Sequence, residues 1–328
     1  MEAINSQITG GVSGAPVKRF SQRPWLAFGA LIAVNAMWAF QFAGARLATE
    51  KLGAVLVTLI PLALATLLVT PFARLNRDIF CKENRRALID VVLLGTLGVL
   101  PAQLCVVLGV ERTLASNASV LSLTVPVLTA LSASLFLHEK MTRLRWWSFV
   151  IAILGVCMIS AKDIQNARLF QMEYVAGNLL VLVSCAGSAF NNSYSQRALS
   201  KLSPAQVLAL SFIVTDVELL LIGAFTSWSG WMQLAHLPPS IWLTLCLIAV
   251  FSLGISMLLY FSVIQSVEVM KAALSVYLLP VFGILFSALL LKEKLTLNLV
   301  AGGVLIFMSC FLVTIYEEKQ RLRQANAK

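Results

Sequence analysis

Charge is what this sequence has least of. Only 12% of its 328 residues are Asp, Glu, Lys or Arg, about half the ~25% of an ordinary soluble domain. That shortage excludes a soluble fold, and many apolar runs approach the ~20 residues a helix needs to cross a bilayer. Histidine is scarce too, with His138 and His236 the two in the chain. There is no HExxH pair, no GxxxxGK phosphate loop and no His-rich cluster, so the sequence offers no hydrolase centre and no phosphate cradle. An enzyme is not expected, nor any metal or cofactor. The six cysteines, at 81, 105, 157, 185, 246 and 310, show no CxxC or metal spacing. All but Cys81 lie in apolar runs, where cysteine behaves as a small buried hydrophobe, and no disulfide is expected.

The charge that is present is mostly positive, with a net value of +10. In a soluble protein that would suggest nucleic acid. Here the basic residues sit between apolar runs and no aromatic-interleaved basic patch occurs, so loops at an anionic membrane face explain them and nucleic acid is dismissed. The first 24 residues are polar and carry Lys18, Arg19 and Arg23. They read as a disordered arm ahead of a retained first span rather than a signal peptide, because no small-residue cleavage site follows a short apolar core.

Two passages set the organisation. One runs from Thr124 through Pro126 to Glu139, Lys140 and Thr142, and the other from Leu278 through Pro280 to Glu293, Lys294 and Thr296. The differences 280 − 126, 293 − 139, 294 − 140 and 296 − 142 all equal 154. Each passage is an apolar stretch with a central proline, a Glu-Lys-x-Thr turn and a second apolar stretch, which marks an internal repeat. Spans are expected at about 25–42, 54–73, 87–110, 114–137 and 146–160, then 174–195, 204–227, 241–264, 269–291 and 297–316. Trp146 and Trp147 beside Arg143 and Arg145 look like an interfacial belt at the short fifth span.

Lys and Arg in the short loops set the orientation. Arg74, Arg77, Lys82, Arg85 and Arg86 follow span two, Lys140, Arg143 and Arg145 follow span four, and Arg197 and Lys201 follow span six. The alternate loops are poorer, with Arg46 and Lys51 in the first and no Lys or Arg between Thr226 and Ser240. Both termini and the basic loops are therefore assigned to the cytoplasm. Five spans is an odd number, so the second half enters the membrane from the opposite side. The expected fold is an all-α integral membrane protein of ten transmembrane helices, arranged as two inverted five-helix repeats. Its parts are an arm at 1–24, a first repeat at 25–160, a second at 174–316 and a charged cytoplasmic tail at 317–328. Inverted repeats are a signature of secondary transporters, whose substrate site lies near the midplane between the repeats.

The five-plus-five pattern, the Pro-centred fourth and ninth helices with their Glu-Lys-x-Thr turns, and Trp38-Ala39 in the first helix resemble the drug/metabolite transporter superfamily, and within it the EamA-type family. Ala118-Ser119 before Pro126 and Ala272-Ala273 before Pro280 resemble the same pattern. The likeness covers about residues 25 to 316. It implies a carrier of an amino acid, another metabolite or a drug-like solute in a bacterial plasma membrane, with export the preferred direction. A lipid or lipid-linked flippase and a nucleotide-sugar or phosphate-type exchanger are the alternatives. The expected partners are a small-molecule substrate and the lipid bilayer, with monomer or homodimer left open.

Candidate site residues come from polar positions inside the spans. Pro126 and Pro280 each remove one helical hydrogen bond and read as paired hinges, freeing the carbonyls of Ser122 and Val276. Asn35, Trp38 and Gln41 share one face of the first helix, and Ser184, Ser188, Asn191 and Ser195 form a stripe on the sixth. Ser116, Ser119 and Ser122 line the fourth, Lys271 and Ser275 the ninth, and Ser252, Ser256 and Tyr260 the eighth. Single serines serve as well to glue helices, whereas several stripes meeting between the halves favour a hydrated cavity. The candidate lining is Asn35, Trp38, Gln41, Gln103, Ser119, Ser188, Asn191, Tyr260, Lys271 and Tyr277. Asp216 falls near the middle of its span, where a carboxylate costs ~2.5–3.5 kcal/mol. It is either a coupling residue that binds and releases a proton or a structural acid paired within the bundle, for instance by Lys271. Glu218, two residues on, points about 200° away and cannot share its face.

Overall fold

Inside a bilayer no water satisfies the backbone, so apolar runs must hydrogen-bond internally. The computed structural model, which describes residues 24–75, 79, 84–136, 143–165, 172–264, 278–309 and 311, is helical, with no strand among the described residues. The helices are α1 (Pro24–Leu52), α2 (Ala54–Ala73), α3 (Arg85–Arg112), α4 (115–136), α5 (Arg143–Gln165), α6 (Met172–Leu199), α7 (Pro204–Thr226), α8 (239–264), α9 (Leu279–Leu291) and α10 (Leu297–Ser309). A short helix, Trp228–Gln233, lies between α7 and α8. Six of these (α1, α2, α3, α6, α7 and α8) are long and apolar enough to cross a membrane, and four shorter apolar helices stand in the positions of α4, α5, α9 and α10. The 1–24 arm up to Arg23 and the 317–328 tail lie outside the described residues.

The first helix corrects one expected boundary. It continues ten residues beyond position 42, to Leu52, so Arg46 and Lys51 belong to its last turns and not to a loop. Ala43, Ala45 and Ala48 are buried there, and the Arg46 guanidinium donates to the carbonyl of Val110 (2.8 Å) and to that of Glu111, both at the end of α3. A cation on the exposed carbonyls of a helix C-terminus is favourable, which holds this polar stretch in helix. Gly53 alone then joins α1 to α2, at φ 74, a conformation glycine adopts without strain.

The fourth helix is not continuous. Ser122–Thr124 form one 3-10 turn between Ala115–Leu121 and the segment beginning at Val125. This is the break expected from Pro126, but the Ser122 carbonyl is not left free, because the Val125 N–H donates to it. Pro280 sits in the first turn of α9. Val276 lies outside the described residues.

Two helices carry π-helical stretches, Leu94–Val99 in α3 and Ile248–Ile255 in α8. The Leu100 N–H reaches back five residues to the Gly95 carbonyl, and the Ser256 N–H does the same to Phe251. The starts differ by 248 − 94 = 154, the offset found between the two proline passages. The starts of α2 and α7 differ by 204 − 54 = 150.

Contacts recur in pairs at these offsets. Gly155 of α5 meets Gly302 of α10 so closely that a Cβ on either would lie 2.6–2.7 Å from the other's carbonyl oxygen. Adding 154 to Gly155 and subtracting it from Gly302 gives Ser309 and Ser148, and the Ser309 hydroxyl donates to the Ser148 carbonyl. Gly187 of α6 abuts the Gly98 carbonyl of α3, while at the matching positions the Ser252 hydroxyl of α8 donates to the Met37 carbonyl of α1. Such contacts need small residues, and inside a membrane close backbone approach is a main source of helix association. The main core joins all ten helices through buried side chains such as Leu56, Leu62, Leu121, Phe212, Leu245 and Ile306. Large apolar side chains such as Leu67, Leu135, Phe225 and Leu297 stay exposed around the perimeter, an apolar surface of the kind lipid covers.

Candidate functional site

The polar face of α1 turns inward. Asn35 is fully buried and its side-chain amide donates to the Leu31 carbonyl at 2.8 Å. One turn on, the Trp38 ring lies 5.1 Å from that of Tyr260 on α8, tilted by 57°. The Trp38 indole N–H is buried and has no hydrogen-bond partner among the described residues. A further turn on, Gln41 Nε2 donates to Gln103 Oε1 of α3 at 2.8 Å. Beside that pair is a cavity of about 10 Å³ lined by Ala45, Val57, Thr58, Pro61 and Ile248, room for one water. Gln41, Trp38, Gln103 and Tyr260 therefore gather along one seam of α1, α3 and α8.

Other candidates sit differently. Ser119 is fully buried, bonds the Ser116 carbonyl at 2.8 Å, and presses on Gly283 of α9, where an added Cβ would be 2.2 Å from its own. Its surroundings are those of helix packing and not of an open lining. Asn191 packs against Gly98 of α3, Ser188 is half-buried on the same helix, and Ser184 donates to the Ala102 carbonyl at 2.6 Å. Lys271 and Tyr277 lie outside the described residues, as does the proposed Lys271 pairing.

Asp216 and Glu218 diverge as their spacing requires. Asp216 Oδ2 lies 2.6 Å from the Thr66 hydroxyl of α2, which is itself 2.9 Å from the Leu62 carbonyl. Glu218 faces α3, where the Thr96 hydroxyl donates to its Oε1. Asp216 Oδ1 and Glu218 Oε2 are buried and have no partner among the described residues. The one salt bridge among the described residues joins Arg112 to its neighbour Glu111, so neither acid of α7 has a cation beside it there.

Three polar contacts close the end of the bundle where α3 stops and α4 starts. The Glu293 carboxylate accepts from the backbone N–H groups of Ala115 (2.9 Å) and Ser116 (3.0 Å) and from the Ser116 hydroxyl (2.6 Å). A carboxylate on unpaired N–H groups at a helix start is favoured by both hydrogen bonding and the helix dipole. The Thr113 hydroxyl donates to Asn178 Oδ1 of α6 at 2.6 Å, and Arg46 holds the last carbonyls of α3. Glu293 thus joins the turn after α9 to the start of α4, while residues 137–142 follow the far end of α4. Sequence reading marked Glu293 as part of a repeated motif but could not find its partners, which lie about 178 residues away. Thr66, Thr96 and Asn178 gave no signal, because threonine and asparagine in apolar helices commonly bond their own helix.

The sequence pattern of the EamA-like transporter family matches residues 25–161 and 175–315. The chain is similar to the uncharacterized transporter YvbV of Bacillus subtilis, at 30% identity over 196 residues, spanning 60% of this chain and 62% of that protein. It is similar to an uncharacterized transporter of Archaeoglobus fulgidus at 24% identity over 278 residues, which is 84% of this chain and 94% of that one. A crystal structure of a protein at 16% identity shares the fold with a TM-score of 0.58, covering 88% of this chain and 97% of the other.

Proposed function

The chain belongs to the EamA-like transporter family and is an integral membrane transporter, and from that premise we propose that it is a secondary carrier working by alternating access. Its cargo is a small organic metabolite, an amino acid or a drug-like solute, and its direction is export across a bacterial plasma membrane with both termini in the cytoplasm. The ten helices act as two five-helix repeats of opposite orientation, read from the paired contacts at offsets 150 and 154.

The observation that carries this reading is the Glu293 contact. A residue of the second half caps the first half's α4, at the end of the bundle where Arg46 of α1 holds the last carbonyls of α3. A carrier must make and break such a closure at each end in turn. In the inverted arrangement this end is external, and the 137–142 turn that follows α4 is cytoplasmic.

Asp216 supplies the coupling. A hydroxyl has one hydrogen, so Thr66 can serve the Leu62 carbonyl and still bond Asp216 when Asp216 itself carries a proton and donates it. With no cation beside it among the described residues, an ionised Asp216 would be uncompensated there. Proton release then belongs to the state in which the α2–α7 contact opens to water. The test is counterflow: proteoliposomes are loaded with a panel of metabolites and substrate-dependent exchange is recorded. A panel spanning amino acids, other metabolites and drug-like cations with no counterflow by any member would remove the carrier reading.

A further inference from the structure

The α7 helix is apolar on two faces. Leu208, Phe212, Leu219 and Gly223 are buried in the bundle. On the opposite side Val217, Leu220, Leu221 and Ala224 are exposed, at the i, i+3, i+4, i+7 spacing that makes one stripe. Ser227 then breaks the helix at φ −122, ψ 33, and the short helix Trp228–Gln233 turns so that Trp228 and Trp231 stand beside this stripe. The six side chains line a groove of about 570 Å³. The short helix is held in place on the joint of α1 and α2: a Cβ on Gly230 would lie 2.9 Å from the Leu52 carbonyl oxygen and 2.7 Å from Leu56 Cδ1. The Trp231 indole N–H donates to the Gly223 carbonyl at 3.0 Å. That bond commits the Trp231 N–H, and the four α7 side chains have no polar atom, so the floor of the groove offers water nothing to bond. At the matching positions of α2, 150 residues earlier, stand Leu67, Thr70, Pro71 and Arg74. The apolar stripe is therefore not carried by the repeat.

The groove is continuous with the perimeter that lipid covers, since Phe225 and Trp228 beside it are 87% and 74% exposed. Tryptophan concentrates at the level of the lipid headgroups, and Trp228 follows the last residue of α7 by two positions. From Ala224 to Val217 the stripe runs seven residues, about 10 Å of helix, inward from that level. Left empty, such a slot would forfeit the dispersion contacts of both its walls. Its six lining residues fall far short of the ~20–30 a side that a stable protein–protein interface uses. We infer that the groove between α7 and the short helix Trp228–Gln233 is a binding site for one acyl chain of a membrane phospholipid. The chain lies along Val217, Leu220, Leu221 and Ala224, and the indoles of Trp228 and Trp231 wall it in.

The site requires only that the chain spans a membrane, and it stands or falls apart from the carrier reading. The test uses the full chain in phosphatidylethanolamine and phosphatidylglycerol nanodiscs, doped with a phospholipid that carries a diazirine in its acyl chain. After illumination, labelled peptides are mapped by mass spectrometry. Val150, Ile153 and Leu154 of α5, an exposed stripe of the same i, i+3, i+4 spacing, serve as the reference. Labelling over residues 217–224 should exceed labelling of that stripe roughly tenfold, a ratio that about ten extra carbon–carbon contacts supply. Ala224→Phe fills the groove and Trp228→Ala removes one wall, and each should bring the α7 labelling down to the α5 level. Both residues are exposed, so neither change disturbs the core. Equal labelling of the two stripes in the wild type, or α7 labelling unaltered in both variants, overturns the inference. So does an Ala224→Cys variant whose copies become disulfide-linked at that position and lose the label, which would assign the groove to a second copy of the chain.

Discussion

The helices α2 and α7 occupy matching places in the two halves and cross each other at Thr66 and Asp216. At the crossing and two residues beyond, α2 presents Thr66 and Leu68 where α7 presents Asp216 and Glu218. Both back a neighbouring helix with a π-helical stretch, so the backbone geometry is common and the chemistry is not. Geometry repeated without its acids shows that the acids are not what shapes the bundle. The α7 helix carries two ionisable groups where α2, at the matching positions, carries none.

The largest expected effect comes from removing the acid at the crossing itself. Asp216→Asn should abolish gradient-driven uptake while leaving exchange, measured in proteoliposomes with and without an imposed pH gradient. Unchanged concentrative uptake would make α7 no different from α2 in function. Next, Leu68→Glu places an acid in the half that lacks a threonine at the equivalent of Thr96, since that position is Val250. The substitution should destabilise the protein by ~2–3 kcal/mol, read from equilibrium unfolding in lipid. Restoring a hydroxyl with Val250→Thr should recover part of that loss, and no loss in the single variant would break the comparison. Glu293→Gln keeps the shape of the closure and removes its charge. It should cost about 1–2 kcal/mol and speed amide exchange at Ala115 and Ser116 roughly tenfold. Smallest is Ser119→Ala, a site of helix packing against Gly283, where counterflow rates should be unchanged and stability should shift by less than ~1 kcal/mol.

What the sequence revealed follows from how local each signal is. The proline passages and their Glu-Lys turns stood out because a constant offset needs no structure, and Asp216 stood out because a carboxylate in an apolar run has no local excuse. The true end of α1 was hidden: Arg46, Glu50 and Lys51 read as loop until α3 supplies the carbonyls that Arg46 holds. The π-helical stretches were hidden as well, since Leu94–Val99 and Ile248–Ile255 contain neither proline nor a polar break. Glu293 was visible as a motif and silent as a cap, because its partners belong to the other half. Ser119 was ambiguous between glue and lining, and only the proximity of Gly283 separates them.

The single residue between α1 and α2 has a mechanical consequence. With Gly53 alone joining them, the two helices are hinged at one point like the legs of a compass, and their tips at that end cannot part. Spin labels placed near that joint, at Glu50 and Val55, should report one distance in every condition. Labels at the far ends, near Ala30 and Phe72, should record the full swing.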